Sequence, residues 1–289
     1  MGTTSMTGPQ ILHALRISKI AKQYEVPVVW GGVHPSLMPQ QTVENENIDI
    51  VVEGEGEITA LELAEHIENE KPLNEVKGLW YNEDSNIKNT GPRDFLDLNE
   101  LPDLPYHLVN VKDYVSNFYG YKTLSFFTSR GCPFNCTFCY NQLYNRRRWR
   151  ALTTEKTLER VETLVHESNI NGLWIRDDNF FVNKKRTIAI LEGMKKYDII
   201  WGTDGARIDS LGALMDNGSI DLMNKSGCKF LCMGVESGSD RILKLMKKGI
   251  TVSQILEVNR KLQKLNALQR MNIMIGLPTE TKEDLEKTI

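Results

Sequence analysis

The 289-residue chain predicts an α/β fold: the C-terminal part of a Rossmann-like domain followed by a partial (β/α) barrel. Three observations predict it. Short β-branched runs alternate with segments of helical periodicity. The alternation pauses in a Pro-, Asp- and aromatic-rich stretch, 91–120, and five strand–helix units then follow in succession. The expected organisation is a first domain over 1–90, a linker over 91–120 and a barrel over 121–289.

Residues 9–23 (PQILHALRISKIAKQ) place Pro at a helix start and repeat Ile11, Leu12, Leu15 and Ile20 at helical spacing. VPVVWGG (26–32) reads as a buried parallel strand ending in a tight glycine loop. IDIVVEGEGE (48–57) repeats the pattern, and ITALELAEHIE (58–68) is the helix after it. Glu55 and Glu57 suit that helix's positive end. Residues 73–90 predict a hairpin with its turn at Asn82–Asn86. These strands are too few for a complete sheet, so the chain is expected to begin partway through a domain. Barrel strands are expected at 123–129, 172–177, 199–204, 229–236 and 270–276. Helices are expected near 153–168, 183–197, 218–226 and 251–265. A last helix starting near Glu280 runs into Ile289, so the barrel too is expected to be cut short.

Bulk properties narrow the function classes. A net charge of −3 gives no bias toward nucleic acid or anionic membranes. No run of about 18 apolar residues occurs, so no membrane span is expected. MGTTSMTGPQ lacks the regions of a signal peptide. Five cysteines, three of them too close to pair comfortably, argue against a secreted disulfide scaffold and for a reducing cytoplasm.

Those three, Cys132, Cys136 and Cys139, lie in TSRGCPFNCTFCY (128–140), after the first barrel strand, where barrel enzymes place their chemistry. A structural zinc site would want a fourth ligand. The five histidines all lie at least 25 residues away in sequence, and no second cysteine pair has finger spacing. Plain core thiols suit poorly a segment that carries Arg130, Asn135 and Thr137. An iron–sulfur cluster fits best, because three thiolates on a four-iron cluster leave one iron open. Zinc with distant ligands and core thiols stay as alternatives. Cys228 and Cys232 carry no motif and read as core. RRRWR (146–150) reads as a solvated loop.

The spacing CxxxCxxC, with Phe138 before the third cysteine, resembles the cluster loop of the radical S-adenosylmethionine (SAM) enzymes. The resemblance implies a 4Fe-4S cluster on Cys132, Cys136 and Cys139 whose open iron is chelated by SAM. One electron from the cluster would then cleave SAM to a 5′-deoxyadenosyl radical that abstracts hydrogen from the substrate. Phe138 would lie near the adenine. VESGS (235–239) resembles the family's motif for the SAM ribose or amino acid moiety, with Glu236 and Ser237. Alternation along KFLCMGVE points Glu236 into the barrel and Leu231, Met233 and Val235 toward the helices. RDDNF (176–180) resembles the segment meeting the SAM amino group; which of Asp177 and Asp178 faces inward stays open, as does a helix-capping role. Arg207, at the mouth of the third strand, is a candidate carboxylate partner or a surface salt bridge. MIGLPTET (274–281) resembles the fifth-strand motif, where Ile275 and Gly276 let backbone approach the adenine.

The segment from Trp30 to Glu57 resembles the C-terminal half of the cobalamin-binding domain that precedes many radical SAM enzymes. The resemblance implies that Ser5, Thr7, Gly31 and Gly32 line the cobalamin nucleotide tail. Glycines after a strand let a bulky ligand approach backbone at the sheet's carboxyl edge. His34, before Pro35, is a candidate axial ligand or a structural turn residue. The resemblance spans nearly the whole chain, and the closest subgroup contains anaerobic oxidative cyclases and carbon methylases. It implies a small-molecule substrate and an external one-electron donor such as flavodoxin or ferredoxin. The alternatives are a methylthiotransferase acting on RNA without cobalamin, or a non-catalytic iron–sulfur or zinc module. The first usually carries a second cysteine trio ahead of the barrel, and residues 1–131 contain no cysteine.

Overall fold

The computed structural model describes residues 1–215 and 218–289. It divides into two compact units, Met1–Leu96 and Asp97–Ile289, so the boundary falls inside the stretch read as linker.

In the first unit, Gly2–Thr4, Val29–Gly31 and Ile50–Val52 pair in parallel, and the hairpin Leu79–Glu83/Asn86–Asn89 continues the sheet antiparallel. Both faces are covered, which explains why the strands read as continuous apolar runs. Val51 packs with Trp30 and Ala14 on one side, while Ile50 and Val52 pack with Leu63 and Leu79 on the other. The helices Pro9–Gln23 and Glu57–Glu68 match the expected segments to within a residue. Asp84 and Ser85, both with positive φ, make the two-residue hairpin turn.

In the second unit, a six-stranded sheet runs in the order Leu268–Ile273, Cys228–Glu236, Ile200–Arg207, Gly172–Ile175, Tyr121–Phe126, Ser116–Phe118 among the described residues. All neighbours are parallel except the last pair. This is the partial barrel the sequence predicts. Strand alternation sorts its faces: Leu173, Ile175, Leu231 and Met233 enter the core with Leu191, Val258 and Leu262 of the covering helices. Trp174 and Phe230 face the other way and close one end of the inner face with Phe118. The helices Thr154–Glu167, Lys184–Met194 and Val252–Leu262 start where Thr153, Asn183 and Thr251 accept a backbone N–H, the last as a capping box.

Several expectations need correction. The stretch read as linker contains the strand Ser116–Phe118, which turns back through Tyr119-Gly120. The strand expected at 123–129 is split, because Ser129–Arg130 leaves the sheet to pair with Arg150–Ala151. RRRWR is thus partly ordered: Arg150 is in a strand, and the Trp149 ring lies under the Arg186 guanidinium. The short helices Ile208–Leu214 and Asp240–Leu245 were not anticipated. Among the described residues, no helix is long and apolar enough to cross a membrane.

Candidate functional site

The cysteine loop sits at the carboxyl edge of the second sheet. It starts at Gly131, whose φ of +83° and close approach to backbone suit glycine alone; a Cβ built there would lie 1.9 Å from the Arg148 carbonyl oxygen. Cys132 and Cys136 are buried, Cys139 is partly so, and all three thiols are free. Burial pushes the Cys132 thiol up to about 11, against a backbone N–H from Phe134 and the nearby Arg207 charge. Such a thiol stays protonated until a metal displaces the proton.

Side chains from three strand ends converge on this loop or its neighbours. Asp177 is buried and accepts hydrogen bonds from Thr128 N (2.7 Å), Thr128 Oγ1 (2.6 Å) and Ser129 Oγ (2.5 Å). Burial nonetheless pushes its carboxyl up. Asp178 accepts from Gly131 N, Tyr140 Oη and Asn141 Nδ2. Both carboxylates are therefore engaged by the segment that carries the cysteines. Neither caps a helix, since the next helix is capped by Asn183.

Arg207 ends its strand buried, not as a surface salt bridge. It grips Asp209 with Nε and Nη2 (3.0 and 2.9 Å), lies 3.7 Å from the Phe134 ring centroid, and points Nη1 at Cys136 Sγ, 3.0 Å away. Burial works against its charge, but the hydrogen bonds and charge of Asp209 hold its pKa above the ordinary value. Its Nη2 also reaches the Lys248 carbonyl.

Glu236 points to the inner face, as alternation predicts: a Cβ built on Gly234 would meet both Glu236 Oε1 and Lys248 Nζ. A register irregularity between Gly234 and Glu236, with φ of +68° at Glu236, re-aims the side chain at the strand end. Its carboxylate pairs with Lys248 Nζ at 2.8 Å, both groups being buried. The same ammonium lies 5.7 Å from the Phe138 ring, and Thr137 N bonds the Met246 carbonyl. Lys248 thus links the VESGS strand end to the cysteine loop. Sequence reading missed it, because Lys247-Lys248 after a short helix looks like solvated charge; the "MKKG" ending in glycine was the available signal. Ser237 is buried but engaged by Ser239 N and Thr288 Oγ1. Ile275 and Gly276 lie beyond the end of their strand, which stops at Ile273, and Gly276 N donates to Glu280 Oε2.

In the first unit, Ser5, Thr7, Gly31 and Gly32 come together at the carboxyl edge of the parallel strands. Ser5 directly follows the strand Gly2–Thr4; its N–H reaches the Gly31 carbonyl and its carbonyl accepts from His34 N. Thr7 Oγ1 lies 3.0 Å from His34 Nδ1, joining the two motifs. Gly32 has φ of +92°, and a Cβ there would come within 2.2 Å of Thr4 Oγ1. This edge of small and hydroxyl side chains suits a broad ligand laid against backbone.

The donor set fits a cluster. Arg207 and Asn141 aim N–H groups at the sulfurs of Cys136 and Cys139, as thiolate ligands require. A zinc site would draw its sulfurs together around one ion, with Zn–S near about 2.3 Å. A cluster asks instead for each thiolate on a different iron.

Comparison with known proteins agrees with this geometry. Residues 126–289 match the Radical SAM superfamily and residues 1–64 match the B12 binding domain. The whole chain aligns at 34% identity with 62% of the uncharacterized methyltransferase PH0819 of Pyrococcus horikoshii. It aligns at 28% identity with 48% of the anaerobic magnesium-protoporphyrin IX monomethyl ester cyclase of Cereibacter sphaeroides. It therefore spans about half to three fifths of these curated relatives. Among solved structures, the cobalamin-dependent SAM radical enzyme OxsB with aqua-cobalamin bound superposes with a TM-score of 0.80 at 25% identity, over 99% of this chain and 42% of that one. With a B12-binding domain in its first unit and the cysteine loop, carboxylates and buried ion pairs in its second, the chain belongs to the Radical SAM superfamily.

Proposed function

We propose that this chain is the cofactor-binding part of a cobalamin-dependent radical SAM enzyme that methylates, or oxidatively rearranges, an unactivated carbon of a small molecule. The observation that carries the reading is the convergence on the cysteine loop of Arg207, at Cys136, and of the Glu236–Lys248 pair, at Phe138. When bound, the cluster and SAM supply radical chemistry, and cobalamin supplies a methyl-carrying or redox-active metal. The chain's own residues do the rest. Cys132, Cys136 and Cys139 hold the cluster. Arg207 and Asn141 donate to the ligating sulfurs. Glu236 and Lys248 present a paired carboxylate and ammonium to the amino acid end of SAM, and Phe138, Ile275 and Gly276 offer an apolar ring and open backbone to its adenine. Ser5, Thr7, Gly31 and Gly32 take the cobalamin tail. A flavodoxin or ferredoxin donor in a reducing cytoplasm suits the free cysteines.

The test is electron paramagnetic resonance on the anaerobically reconstituted, reduced chain, with and without SAM, alongside cobalamin uptake by absorbance. The expected result is a reduced-cluster signal that SAM shifts and that disappears in the Cys132→Ala/Cys136→Ala/Cys139→Ala variant, with cobalamin retained on gel filtration. A cluster indifferent to SAM, or zinc without sulfide, would overturn the reading. A SAM-responsive cluster without cobalamin uptake would favour the methylthiotransferase alternative.

A further inference from the structure

The two acidic residues after the Gly172–Ile175 strand do different things. Asp177 holds the approach to the cysteine loop, whereas Asp178 reaches both of its ends. Asp178 Oδ2 accepts from Gly131 N at 2.8 Å, immediately before Cys132. Its Oδ1 accepts from Tyr140 Oη at 2.6 Å and Asn141 Nδ2 at 2.9 Å, immediately after Cys139. Asn141 and Asn145 are both buried, and Asn145 Nδ2 donates to Asn141 Oδ1 at 2.6 Å. That bond turns the Asn141 amide so that its NH2 group faces Asp178 and, at 3.7 Å, Cys139 Sγ. One carboxylate thus closes the loop across all three cysteines and orients the donor to the third. Its negative charge also reaches the site, since a single amide group, Asn141 Nδ2, lies between the carboxylate and Cys139 Sγ.

We propose that Asp178 is a positioning residue for the cluster: it ties the two ends of the cysteine loop, and its charge helps set the potential at which the bound cluster accepts an electron. The inference deepens the function proposed above and rests on it. A fixed negative charge beside an iron–sulfur centre opposes the gain of an electron, and hydrogen bonds to the ligating sulfurs ease it. Asp178 contributes both, the first directly and the second through Asn141. A purely structural brace would change how much cluster is held without changing the potential of the cluster that remains.

The experiment uses the full chain, reconstituted anaerobically, with iron and sulfide quantified and the cluster titrated with dithionite under paramagnetic resonance. Asp178→Asn keeps the shape and removes the charge. It is expected to retain most of its iron and to show a several-fold larger reduced fraction at a fixed poised potential, with the midpoint less negative. Asp178→Ala, which removes the tie, is expected to lose iron several-fold faster to a chelator. Tyr140→Phe removes one bond but keeps the charge, so its iron loss is intermediate and its midpoint does not move to less negative values. An Asp178→Asn chain with full iron and an unmoved midpoint would overturn the proposal. So would one with a wild-type midpoint that no longer responds to SAM, because Asp178 would then be a SAM contact. If Asp178→Asn holds no iron, Tyr140→Phe decides: faster iron loss supports the tie, and wild-type retention refutes it. A wild-type chain without a SAM-responsive cluster fails the proposed function itself, before any variant is compared.

Discussion

Two glycine-led loops stand at the carboxyl edges of the two sheets, and they are built on different principles. Gly131 opens the cysteine loop, and Gly32 opens the edge that carries Ser5 and Thr7; both have positive φ. A side chain at Gly131 would strike backbone, the Arg148 carbonyl at 1.9 Å, whereas at Gly32 it would strike first the Thr4 hydroxyl at 2.2 Å, with Ser5 N at 3.2 Å. A backbone carbonyl moves only with its chain, but a hydroxyl can rotate. Around Gly131 stand carboxylates and an arginine bonded to the loop; at the Gly32 edge the contacts are Ser5 with Gly31 and His34, Ser36 with Gly32, and Thr7 with His34. Under the proposed function, the first site takes a small rigid inorganic guest and the second a large ligand laid against backbone.

The largest expected effect tests the charged side of this contrast. Lys248→Met leaves Glu236 buried without its cation, and breaking such a pair costs about 3–5 kcal/mol. Denaturant unfolding of the second unit should show a loss in that range; a loss below about 1 kcal/mol would mean the pair is open to water. Next comes Gly131→Ala, expected to cost about 3 kcal/mol from positive φ plus the carbonyl clash, and to abolish iron retention. Smallest is Gly32→Ala, at about 1–2 kcal/mol in the first unit, with iron content unchanged. Adding Thr4→Ala should restore part of that loss, since the atom in the way is then gone. Equal losses for the two glycine variants, seen as equal shifts in unfolding midpoint, would erase the distinction between the loops.

Much of this was legible in the chain because the signals were local. Three cysteines in eight residues, a strand alternating up to Glu236, and apolar runs ending in glycine each carry their own meaning. What stayed hidden depends on partners distant in sequence. Nothing in RDDNF says that Asp177 will be taken by Thr128 and Asp178 by Tyr140, 38 residues away. Lys248 looks like its exposed-type neighbours until the fold buries it against Glu236. The helices Ile208–Leu214 and Asp240–Leu245 span barely two turns, too few for a periodicity to register. The hairpin at Ser116–Phe118 was lost because a Tyr-Gly turn in an aromatic-rich stretch resembles connecting chain.

The backbone at Glu236 has one more consequence. A non-glycine residue with φ of +68°, carrying a buried charge, is a poor choice for folding. Replacing Glu236 and Lys248 together with glycine and methionine would relax the backbone and remove two desolvated charges, a change that is often neutral or favourable. Thermostability selection run without an activity screen would therefore drift toward erasing this pair. With the SAM-facing role proposed for Glu236, directed evolution of this scaffold has to hold position 236 fixed, since heat resistance and chemistry then pull there in opposite directions.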